Sequence, residues 1–111
     1  MVKVVLKNEV SESLGNFAGE YKQSPILWHG NPCFIQNEIN AIWYYKKRNI
    51  WIIGAFQDIG SGRGGFYTEH KFGGGPTDDR NVWYYACGNN EWALAASNDI
   101  VVKFIMSGKF I

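Results

Sequence analysis

The chain predicts an all-β fold: a compact antiparallel β sandwich or barrel-like domain of about eight short strands. Three observations carry that prediction. Short apolar or alternating runs recur along the 111 residues, separated by Gly, Pro, Asn and Asp. No long helical period is present. Five Trp, six Tyr and seven Phe stand beside thirteen Gly, a composition suited to half-buried sheet faces built on large rings. One domain of this length buries a thin core.

Taken in order, Val2 to Leu6 reads as the first strand, and Asn8 to Phe17 as the best helix candidate, a short one containing Gly15. Strands follow at Gly19 to Lys22, Cys33 to Gln36, Ala41 to Tyr45 and Ile50 to Phe56. A glycine-rich connection spans 60–76. Val82 to Ala86, Glu91 to Ala95 and Ile100 to Phe104 complete the set.

An internal match is the most informative feature. "IWYYKKRNIWIIGAFQDI" (42–59) aligns with "VWYYACGNNEWALAASNDI" (82–100), with one extra residue in the second turn. Trp43, Tyr44, Tyr45 and Trp51 match Trp83, Tyr84, Tyr85 and Trp92, and Asp58-Ile59 matches Asp99-Ile100. Two similar β-hairpins follow, with Lys46–Asn49 and Cys87–Asn90 as loops where Gly88 and the Asn residues tolerate positive φ. Strand alternation sends Trp43 and Tyr45 to one face and Tyr44 to the other.

The order Gly19-Glu20-Tyr21, Gly30-Asn31-Pro32-Cys33-Phe34, Ile42-Trp43-Tyr44-Tyr45, Trp51-Ile52-Ile53-Gly54, then Trp83 and Trp92 resembles a small Trp- and Gly-rich β module. Such modules occur singly or in tandem in multidomain proteins of protists, algae and marine invertebrates. The resemblance covers roughly residues 15 to 105, with Phe34 in place of the usual Tyr and His29-Gly30-Asn31 only approximating Asn-Gly-x. It implies a compact β unit recurring beside other domains and brings no catalytic chemistry with it.

Charge is close to balanced, at a formal +1, which argues against nucleic acid as a partner, since phosphate binding calls for a basic excess on one face. No stretch approaches the roughly 20 apolar residues of a membrane span, and no signal peptide is legible, so no membrane partner is expected. Cys33 and Cys87 could pair in a secreted protein, but two cysteines are no disulfide framework, and they read as thiols in a reducing, cytoplasmic setting.

The string "GSGRGG" (60–65) matches G-x-G-x-x-G literally. A dinucleotide loop needs a helix opening on its glycines, and "FYTEHKFGGGP" cannot supply one. The span therefore reads as backbone punctuation, with Arg63 left as an anion contact. His29, His70, Cys33 and Cys87 lack the paired spacings of a structural zinc site, so neither metal nor cofactor is expected. Asp78-Asp79 suits a turn, or a pair with Arg80.

No nucleophile, base and orienter are grouped, so the expected function is non-catalytic. Eighteen rings exceed what one thin core can hold, and the surplus points to a surface patch. Its candidates are Tyr44, Trp51, Phe66, Tyr67, Tyr84 and Trp92, with Arg63 beside them. The leading expectation is a module that binds another protein. The alternative is carbohydrate binding through Trp and Tyr faces, with Asn89, Asn90, Asp78, Asp79 and Gln57 available to sugar hydroxyls.

Overall fold

The computed structural model describes residues 1–28, 30 and 32–106; His29 and Asn31, singled out above, lie outside them. Among the described residues nine strands form one sheet: β1 (Val2–Leu6), β2 (Gly19–Gln23), β3 (Cys33–Gln36), β4 (Asn40–Tyr45), β5 (Ile50–Ala55), β6 (Phe66–Glu69), β7 (Trp83–Ala86), β8 (Trp92–Leu94) and β9 (Ile100–Phe104). Among the described residues there is one α-helix, α1 (Asn8–Leu14), which continues into a 3-10 turn at Gly15–Phe17. The strand order is β8-β7-β6-β5-β4-β3-β2-β1-β9, and every pairing is antiparallel.

Strands β8 and β9 are consecutive in sequence yet occupy opposite margins of the sheet. The link between them, residues 95–99, spans at most about 22 Å. Nine flat strands at about 4.8 Å spacing would set the margins about 38 Å apart. The sheet must therefore curl, and it forms a half-barrel.

Eight strands fall where the sequence places them, within a residue or two. The ninth, β6, corrects the expectation that 60–76 is only a glycine-rich connection between the hairpins. Phe66-Tyr67-Thr68-Glu69 pairs with β5 on one side and β7 on the other, so a strand separates the two hairpins. Its aromatic and β-branched residues favour pleated structure, but glycines on both sides hide so short a run.

Both faces of the sheet carry a core. On the inner face Val2, Val4, Tyr21, Ile42, Ile53, Phe66, Trp83, Ile100 and Val102 are buried, closed over by Val10, Leu14 and Phe17 from α1 and its 3-10 turn. The outer face buries Cys33, Ala41, Trp43, Ile50 and Ile52 beneath Trp28 and Ile59. This is why β4 lacks a buried–exposed alternation: Asn40 to Trp43 are all buried. Buried Asn40 donates to Asn16 O (2.8 Å) and Gln36 Oε1 (2.9 Å), and Gln36 Nε2 donates to Ala18 O (2.9 Å), fastening the 3-10 turn to the β3–β4 hairpin. The buried Tyr21 hydroxyl donates to Phe17 O at 2.7 Å, and its burial pushes its pKa well up.

Candidate functional site

Glycines 60–65 lie against the sheet, and their roles come from its geometry. Within the string only Gly60 has positive φ. The rest serve close approach rather than the unusual backbone conformation the sequence suggests. A Cβ on Gly64 would collide with Ile52 and come within 2.9 Å of Ile53 O, and one on Gly54 would sit 2.8 Å from Gly64 Cα. Gly62 leaves room for the Tyr45 ring. Trp43 Nε1 donates to Ser61 O at 3.0 Å, pinning the loop to the outer face. Three of the loop amides are occupied: Ser61 N bonds Asp58 O, Arg63 N bonds Ser61 Oγ, and Gly65 N bonds Ile53 O. A phosphate would have to displace these bonds. Arg63 is exposed on this loop, away from the other candidates in the pairing scheme.

The six aromatic candidates divide by face. Register places Ile42, Ile53, Phe66 and Tyr85 in one cross-strand row and Trp43, Ile52, Tyr67, Tyr84 and Leu94 in the next. Alternation then puts Tyr44, Trp51 and Phe66 on the inner side and Tyr67, Tyr84 and Trp92 on the outer. The expectation of one common patch is corrected accordingly. Phe66 is fully buried, edge-on to Phe17 with centroids 6.0 Å apart, so it is a core residue with no surface to offer.

Tyr44 and Trp51 form a local cluster at the end of the β4–β5 hairpin. Their ring centroids lie 5.4 Å apart, and His70 packs 5.4 Å from Tyr44. Trp51 Nε1 donates to His70 Nδ1 at 3.1 Å, the Tyr44 hydroxyl pairs with Asn49 Oδ1, and Asn49 Nδ2 reaches His70 O. With the Tyr44, Asn49 and Trp51 side chains bonded within it, the cluster closes off one end of the hairpin.

The outer-face group is different. Tyr67 and Tyr84 stack at 4.9 Å with 13° between planes, and Trp92 stands edge-on to Tyr67 at 4.9 Å. Trp92 is 42% exposed and Leu94, two residues along the same face, is 61% exposed. The Trp92 indole N–H has no partner among the described residues. Val82 and Phe72 extend the apolar surface, and a small pocket lies between Thr68, Phe72, Val82 and Tyr84. The sequence reading missed Leu94, Val82 and Phe72. The i, i+2 spacing of Trp92 and Leu94 was the signal for the first of them.

The second glycine run is pinned by Asp78. Its carboxylate accepts from Arg80 N (3.0 Å), Nε (3.0 Å) and a terminal guanidinium nitrogen (2.8 Å). These bonds hold its pKa down, at about 2. The Arg80 guanidinium in turn lies 4.7 Å from the Phe72 ring centroid. Asp78 is thus a structural residue of the turn, paired with Arg80.

Cys33 is buried and Cys87 exposed, and both are free thiols. Burial pushes the Cys33 thiol pKa up. Among the described residues no three His, Cys, Asp or Glu side chains group as metal ligands, and no helix is long and apolar enough to cross a membrane. A scan against protein-family models, a search of curated proteins and a search of solved structures each found no match.

Proposed function

We propose that the domain is a non-catalytic module that binds another protein through the outer face of β6, β7 and β8. The observation that carries this reading is the stacked Tyr67–Tyr84 pair with Trp92 edge-on, continued by exposed Leu94 and Val82. The Tyr stack holds the centre rigid, so little side-chain entropy remains to be lost on binding. A free indole N–H at the rim supplies one directional contact. Tyr and Trp at the centre of an apolar patch are the residues that dominate protein interfaces. The resemblance to modules that sit beside other domains is consistent with this role.

Carbohydrate binding is the second reading. Exposed Asn89 and Asn90 in the β7–β8 turn lie near Trp92 in sequence, as sugar stacking with hydroxyl contacts requires. Against it, the Tyr stack covers one face of each ring, Asp78 is committed to Arg80, and aliphatic Leu94 and Val82 offer nothing to hydroxyls.

The test is a double variant, Trp92→Ala with Leu94→Ser, compared with wild type in proximity crosslinking from within its parent cell. Loss of a defined set of crosslinked proteins, with near-UV circular dichroism showing the fold intact, is the expected result. An unchanged set sinks the proposal, and selective retention on a glycan array that the double variant loses would replace it with the sugar reading.

A further inference from the structure

The two margins of the half-barrel do not pair with each other. Eight successive antiparallel steps leave β8 and β9 running in the same sense at the two margins. Direct closure would need a parallel pair, and the ladders instead end there: β8 pairs only with β7, and β9 only with β1.

Main-chain bonding identifies which edge groups are unsatisfied. Lys7 N donates to Asp99 O and Ile105 N to Met1 O. With the register Val4↔Val102, the hydrogen-bonded β1–β9 pairs are those of odd-numbered residues. The N–H and C=O groups of Ile100, Val102 and Phe104 therefore point away from β1, toward the gap. On the other margin Ala95 N donates to Trp83 O and Cys87 N to Glu91 O. By the same alternation the groups of Trp92 and Leu94 point outward.

A groove of ≈ 570 Å³ lies at this gap. One wall is β9, with Ile100 and Val102; the facing wall is the segment from Thr77 to Trp83 that leads into and begins β7, and Leu94 and Ala95 at the end of β8 close the groove. Charge differs between the two walls: Asp78 and Asp79 line the side ahead of β7, and Lys103 lines the β9 side. Glu20, Lys3 and Lys103 lie in one cross-strand row, so two like charges stand side by side at its open end. Lys103 has no carboxylate within ion-pair distance among the described residues.

We propose that this seam takes an extended peptide strand of another protein, paired antiparallel to β9. The other edge of that strand would face the segment ahead of β7 and make no ladder there. Its apolar residues would fill the groove beside Trp83, Ile100 and Val102, and an acidic residue would stand beside Lys103. Strand addition to an open edge draws affinity from main-chain bonds and selectivity from alternate side chains. The inference rests on the reading of the domain as a protein-binding module, but it uses the sheet edge rather than the aromatic face.

The probe is a capped six-residue peptide alternating Val with Thr and carrying one central Glu. Its binding is read by amide hydrogen exchange and by ¹⁵N chemical shifts. Slowed exchange at Ile100, Val102 and Phe104 is expected, with neighbouring odd-numbered amides unchanged. N-methylation of two of the three peptide amides that face β9 should weaken binding about tenfold, for two lost hydrogen bonds. Methylating the intervening amides should matter much less. Lys103→Glu should weaken the Glu peptide about two- to fivefold, and a Lys peptide should reverse that preference.

Protection at these amides that appears without peptide and rises with protein concentration would overturn the proposal in favour of a second copy. Equal loss from both methylation patterns would overturn it in favour of plain apolar contact. Trp92→Ala should leave peptide binding intact. Peptide binding combined with an unchanged crosslinked set would sink the aromatic-face reading alone, and the reverse outcome would sink the strand alone.

Discussion

In β4 Trp43 lies on the outer face, and in β7 the matching Trp83 lies on the inner one, although the residues around them are nearly the same. Each Tyr of the two Trp-Tyr-Tyr runs is likewise reversed. Trp51 faces inward and bonds His70, whereas its counterpart Trp92 faces outward and is exposed. The turns differ too. Lys46–Asn49 needs positive φ only at Asn49, while Gly88, Asn89 and Asn90 adopt it in succession. Across the turns, Trp51 pairs with Tyr44, but Trp92 pairs with Ala86.

What separates the two hairpins is their place in the sheet. β4 and β5 are central and covered on both faces, so every ring is used in packing. β7 and β8 approach a margin, where nothing described covers the outer side of Trp92 and Leu94. The same aromatic pattern is therefore core in one hairpin and surface in the other. Identity of motif does not fix identity of role in a sheet, because a one-residue change of phase exchanges the faces.

Truncating the matched rings should separate the hairpins most widely. Trp43→Ala removes a ring that is 2% exposed and a bond to Ser61 O, and should cost about 3–5 kcal/mol in urea unfolding. Trp92→Ala should stay within about 1 kcal/mol. Equal losses would show that the β7–β8 hairpin is packed as tightly as the central one.

Glycine substitutions sharpen the contrast at smaller magnitude. Gly54→Ala meets Gly64 Cα at 2.8 Å and the Trp43 ring at 2.9 Å, an overpacking expected to cost about 1–3 kcal/mol. Gly88→Ala meets nothing within 4 Å, but its φ is +96. Only backbone strain opposes it, at about 1–2 kcal/mol. Thermal midpoints of the two variants give the ordering, and a milder Gly54→Ala would contradict the close approach of the loop.

The smallest effect concerns the turn leading into β7. The pKa of Asp78 is lowered from 3.8 to about 2, so its contribution to stability is fully present above its unfolded-state pKa and is lost as pH falls toward 2. Asp78→Asn should therefore be slightly less stable than wild type near neutral pH. That small difference should shrink between about pH 4 and pH 2 in paired urea titrations. A constant difference across that window would mean that the amide disturbs the turn for reasons other than charge.

Most strands were legible because aromatic and β-branched runs alternate with turn residues, and the two matching hairpins were legible from their motif. Face assignment was not, because Asn40 to Trp43 are buried without alternation when a core lies on each side. Phe66 was mistaken for a surface ring for a related reason: a strand of four residues between glycine runs shows too little pattern to reveal its pairing. Tyr67, Tyr84 and Trp92 were legible as a group only by ring chemistry. Their meeting at one place depends on β6 lying beside β7, a long-range fact with no local signature.

Strand β1 has one further consequence, for the order of events in synthesis. Its two neighbours are β2, close by, and β9, which lies nearly the whole chain away. At about 5–20 residues per second, roughly 5–20 s pass between the emergence of β1 and of β9. For that interval the second edge of β1 has no native mate. A nascent chain of this kind must keep an early strand shielded, or engaged elsewhere, until the last one arrives.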